Sequence, residues 1–166
     1  MSARHKSLVL IAMLLVFGFS TISFAQDDVQ KQIGEIKGAL PKFAIPMREV
    51  GDRFQNMYFA AKGGNWALAM YMSKYMNGAM NPAKVTKPAE YPAWKSFYED
   101  TFAPVNKAIA DRDLKKFEKE YTAIIPLCNA CHVDMGYKFI KVVKQAQPAD
   151  KGIAYTGASK AEDVPK

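Results

Sequence analysis

Cys128-Asn129-Ala130-Cys131-His132 decides how this 166-residue chain is read. On a helix the two thiols and the imidazole stand at i, i+3 and i+4, so all three project from one face. Two thiols so placed can form thioethers with the two vinyl groups of a haem, while the imidazole meets the iron from the same side. C-x-x-C-H is the sequence form of that arrangement. A bare C-x-x-C also serves as a thioredoxin-like redox pair, half of a zinc site or a small disulfide loop. The redox pair belongs in a strand–helix pattern, which the sequence lacks, and a four-ligand zinc site needs more Cys or His than the two Cys and the one His that remain once His5 leaves with the N-terminal segment. The expectation is one covalently attached haem c, with Cys128 and Cys131 as attachment points and His132 as the proximal iron ligand.

Outward from the motif, the N-terminal 25 residues read as a cleaved signal peptide. Arg4, His5 and Lys6 form a basic start, Leu8 to Phe19 an apolar run, and Ser23-Phe24-Ala25 a small-residue cleavage site. The run is short for a membrane span, which takes about 20 apolar residues. Cleavage after Ala25 places the protein in the periplasm, where bacterial c-type haems are attached. The remaining chain carries 21 basic and 16 acidic side chains, a net charge of +5. Such a surface steers toward acidic redox partners. No compact Lys/Arg run suggests nucleic acid. Export would also remove His5, leaving His132 as the single histidine. That excludes bis-histidine ligation within one chain, and the two cysteines exclude a second haem.

The polar residues 26–42 read as a lead-in with Ile33 and Ile36 as its spaced hydrophobes. Phe43, Met47, Val50, Phe54, Met57 and Ala61 then step by fours and threes, an apolar stripe of the helix-bundle type. Gly63-Gly64 ends this helix and Asn65 caps the next. The second helix, from about Trp66 to Met80, is apolar almost all round, which suits burial or a homo-oligomer contact. Residues 81–92, with three prolines, read as a surface connection. A third helix carries Trp94, Phe97 and Phe102, with Pro104 as a kink or break. The fourth is capped by Asp111 or Asp113 and keeps Leu114, Phe117, Tyr121, Ile124, Cys128, Cys131 and Met135 in phase. Pro126 bends it or starts a fresh segment, and Gly136 ends it. The domain is then residues 43–147, an all-α antiparallel four-helix bundle with haem on its last helix, followed by a mobile tail, 148–166.

A haem motif on the last helix of an exported all-α domain resembles the cytochrome c′ superfamily, including its low-spin members with a Met ligand on the first helix. Pro46-Met47, Arg53, Met57-Tyr58-Phe59-Ala60, Gly64-Asn65-Trp66, Leu68-Ala69 and Tyr71, with the haem motif, are similar to a group of bacterial monohaem cytochromes. The resemblance implies covalent attachment at Cys128 and Cys131, a proximal His132 and a distal residue from the first helix.

If Gly136 ends the last helix, an antiparallel neighbour brings Met47 near the iron, and Met57 lies about 15 Å further along. If the helix continues to Val143, Met57 is better placed; an open site is the third option. Arg53, on the flank of the stripe, is either a haem-propionate partner or a solvated arginine. Tyr58 and Trp66 pack against the porphyrin or within the core. The leading expectation is a non-enzymatic single-electron carrier with His132/Met47 ligation. The alternative is a gas-binding protein for NO or CO with an open distal face. Peroxidatic catalysis ranks lower, because no distal His offers a general base.

Overall fold

The structure, a computed structural model, describes residues 26–164. The expected signal peptide lies outside the described residues. The elements are helical: α1 (residues 26–39), α2 (Ala44–Lys62), α3 (Trp66–Ala79), the single turn α4 (Ala83–Thr86), α5 (Tyr91–Ala110), α6 (Leu114–Asp134) and a 3-10 turn (Ala161–Asp163). None is long and apolar enough to cross a membrane. The α1 segment falls in one compact unit, and the chain from Pro41 onward forms another. Within α1 the hydrophobes Val29, Ile33 and Ile36 are all exposed.

Local chemistry ends these helices where the sequence says it should. After α2, Gly64 takes φ +78°, its N–H reaching Ala61 O, while Asn65 N–H reaches Ala60 O. After α6, Gly136 takes φ +84°, its N–H reaching Val133 O, while Tyr137 N–H reaches His132 O. Both are Schellman caps, in which a left-handed residue lets the chain satisfy the helix's orphan carbonyls. A third closes α5 with Arg112 at φ 56°, a conformation that costs any side chain but glycine's. Asn65 and Asp113 cap α3 and α6, accepting from Leu68 N and Lys116 N. Pro104 and Pro126 sit inside α5 and α6, and neither ends its helix.

Aromatic packing joins the long helices. Phe54 of α2 stacks on Tyr121 of α6 at 4.2 Å between ring centres, and Tyr58 lies over Phe117 at 6.4 Å. Between α3 and α5, Ser73 is fully buried and shares hydrogen bonds with Tyr98 and Asn106. Trp94 Nε1–H donates to Asn77 Oδ1 at 3.2 Å. The apolar α3 buries Trp66, Ala69, Met72 and Met76 and leaves Tyr71 and Tyr75 stacked at its exposed side.

The segment expected as a mobile tail is tied down. Asn56 Oδ1 accepts from Ala149 N and Asp150 N; Tyr155 packs on Phe59 and donates to Asp150 O. Thr156 and Ser159 then bridge to Gly64 and Asn65, and Ser159 Oγ accepts from Ala67 N while donating to Asn65 Oδ1. Ala161 and Val164 are buried. The strap passes so close to Gly63 that a Cβ there would collide with the Tyr155 carbonyl. A small, polar composition reads as disorder, but here its hydroxyl and amide groups have specific partners in the α2–α3 turn.

Candidate functional site

The two cysteines and the histidine of the motif occupy the last two turns of α6, where helical spacing sets them on one side. They line a cavity of about 380 Å³. Opposite them, α2 and the residue before it contribute Phe43, Met47, Arg48, Val50 and Phe54, while α3 contributes Met76. Trp94, Phe97 and Phe102 of α5 form another wall. The chain leaving α6 closes the cavity with Tyr137, Ile140 and Val142. Most of this lining is aromatic or aliphatic, which suits a flat, largely apolar group.

The donor atoms have defined surroundings. His132 Nδ1 lies 3.0 Å from Ile140 O. A carbonyl can only accept, so Nδ1 carries the hydrogen, and in the neutral ring the lone pair is then on Nε2, open to a metal. Cys128 and Cys131 are free thiols. Burial, reinforced by the neighbouring Cys131, pushes the Cys128 thiol up to about 12. Burial and then Asp134 raise Cys131 as well. A thioredoxin-type pair needs the reverse, a depressed thiol that yields thiolate near neutrality. At the rim Glu90 accepts from Lys87 Nζ at 2.9 Å, and this bond holds its carboxyl below the usual range. Arg48 is largely solvated, with only a 3.9 Å contact to Asp52.

No protein-family model, curated protein or solved structure matches this chain. The site stands on its own geometry.

That geometry sorts the sequence-derived candidates. Cys128, Cys131, His132 and Met47 come together in one cavity. Met57 is fully buried in the core and does not line it. Arg53 faces a different groove, beside Pro46 and Tyr75, and pairs with Glu49 at 3.2 Å. Tyr58 donates to Glu118 Oε1 at 3.0 Å and lies beneath Lys144, while Trp66 packs edge-on against Phe117. Neither lines the cavity. Arg48 stands at the rim where Arg53 was expected. Met135, one turn beyond His132, lines the cavity too, as does Met76.

Sequence reasoning missed Asn129. Its Nδ2 donates to Val142 O at 3.0 Å and its Oδ1 accepts from Val142 N at 2.8 Å. Nothing in a C-x-x-C-H pattern marks an x position, and the bond partner lies beyond the helix.

Proposed function

We propose that this chain is an exported monohaem c-type cytochrome that carries single electrons, with haem on Cys128 and Cys131 and iron held by His132 and Met47. The observation that carries the reading is that these four side chains line one apolar cavity. We further infer that α2, α3, α5 and α6 form an antiparallel four-helix bundle like that of the cytochrome c′ superfamily. In support, Phe54 meets Tyr121 and Tyr58 meets Phe117, so positions rise on α2 as they fall on α6. Ser73 with Tyr98, and Asn77 with Trp94, repeat the pattern between α3 and α5.

The same register favours Met47. It lies two turns before Phe54, and Cys128 lies two turns after Tyr121, so the two fall at one level of the α2–α6 pair. Met57 sits about 15 Å away along α2.

Bound haem supplies a one-electron Fe(III)/Fe(II) couple. His132 presents Nε2 because Ile140 O holds Nδ1–H. The Met47 thioether, a soft donor, would favour the reduced metal and raise the potential. Phe43, Phe54, Trp94 and Phe97 exclude water from the cavity walls. Arg48 at the rim, rather than Arg53, is placed to meet a propionate. The surplus of basic side chains steers the protein toward acidic partners in the periplasm.

Absorption spectra of the purified ferric and ferrous protein, with CO added to the latter, test this directly. The carrier should be low-spin, show a weak long-wavelength Fe–S(Met) band and take up little CO. A high-spin protein that binds CO readily would instead be a gas-binding cytochrome, with Met47 a steric lid. Absence of covalent haem overturns both.

A further inference from the structure

Both hydrogen-bonding ends of the Asn129 amide are spent on one residue. With Nδ2 on Val142 O and Oδ1 on Val142 N, the side chain reproduces one rung of a β-ladder for a segment that lies in no strand. Two positions earlier, Ile140 presents its carbonyl to His132 Nδ1. Asn129 and His132 stand at i and i+3 on α6, so the helix and residues 140–142 close a ring of three hydrogen bonds.

Val142 packs against the core, and few other polar groups hold this segment. Lys138, Phe139, Ile140 and Lys141 are exposed, Phe139 to 77%. A turn from Tyr137 O to Ile140 N fixes one end, and the Asn129 grip fixes the other. A short, solvated stretch with so few anchors opens readily when one is removed. Water would then compete for Nδ1–H.

We propose that Asn129 is a positioning residue for the proximal ligand: by gripping Val142 it holds the Ile140 carbonyl against His132 Nδ1–H. It thereby fixes the plane of the imidazole and the electron donation of Nε2. This rests on the haem reading above. A carbonyl on the far nitrogen of a metal-bound imidazole raises its basicity toward the metal and fixes its tautomer. The x positions of the motif are thus not interchangeable in this chain.

The test compares Asn129→Ala and Asn129→Asp with the wild type, all as haem-loaded proteins. Proton NMR of the ferrous forms follows exchange of the His132 Nδ1 proton with solvent, and redox titration gives the potential. Asn129→Ala loses both bonds; exchange should quicken about tenfold or more, and the potential should rise as the imidazole donates less. Asn129→Asp keeps an acceptor for Val142 N–H, so its exchange should fall between the other two; it also carries the test if Asn129→Ala loads haem poorly. Wild-type exchange in both variants overturns the proposal, even with a lowered melting temperature, because Asn129 would then be a structural tie only. If the wild-type protein carries no covalent haem, the cofactor reading itself fails and takes this inference with it.

Discussion

Three thioethers share the cavity, and they can be told apart one substitution at a time. Met47→Ala should abolish the Fe–S(Met) band and open the ferrous iron to CO, while Met76→Ala and Met135→Ala should leave the band in place. Met57→Ala should also leave the band and lower stability by about 2–5 kcal/mol, the usual cost of emptying a buried Met site, as read by denaturant unfolding. A band lost with Met57 instead would mean that the α2–α6 register is wrong. Cys128 offers a pH test. Its thiol sits above its ordinary value of 9.0, at about 12, so the folded haem-free chain holds a proton that the unfolded chain releases. Stability of that haem-free form should be fully present below about pH 9 and fall as pH rises toward 12. In a haem-loaded form Cys128 would be a thioether, so the part of the alkaline loss due to its thiol should be absent from the melting curves. The placement of Cys128, Cys131 and His132 along one side of α6 was legible because positions i, i+3 and i+4 of any helix share a face. That Met47 faces them across the cavity was legible through helical period. Arg48 and Arg53 were not separable from sequence, since both flank the same apolar stripe and only the neighbours of each flank decide which meets the cavity.

Helix ends are local events, which is why Gly63-Gly64, Asn65 and Gly136 announced them. Arg112 is the exception: a left-handed cap without glycine, at φ 56°. Arg112→Gly should stabilise the protein by about 0.5–1 kcal/mol, and Gly136→Ala at φ +84° should cost about 1–2 kcal/mol, both readable as shifts in denaturant midpoint. Should Gly136→Ala prove neutral, the cap at the exit of α6 contributes nothing. Pro104 and Pro126 left a bend or a break open, and both helices run on through them. A proline inside a helix forfeits a hydrogen bond and disfavours the preceding turn at about 3 kcal/mol. Burial of Phe102 and Val105 around the first, and Ile124 before the second, offsets this through contacts that no local pattern reveals. The turn and extended path after Gly136 were ambiguous for the same reason, since Asn129 and His132 organise them from another element.

For the molecule as a whole, the all-helical character was visible in the apolar stripes, whereas the last seventeen described residues were misjudged. Deleting everything after Gln147 should lower stability and expose Phe59, seen as a reduced unfolding midpoint; an unchanged midpoint would return those residues to the status of a free tail. Electron exchange with an acidic partner should slow as salt is added, because the steering charge is screened within about 10 Å at 0.1 M ionic strength. The strap bears on order of assembly. Ser159 reaches Ala67 across 92 positions, so this part of the fold cannot close until a segment far along the chain has docked. Contacts of such separation form late and slowly. Until Thr156 and Ser159 reach it, the α2–α3 turn stays unfinished.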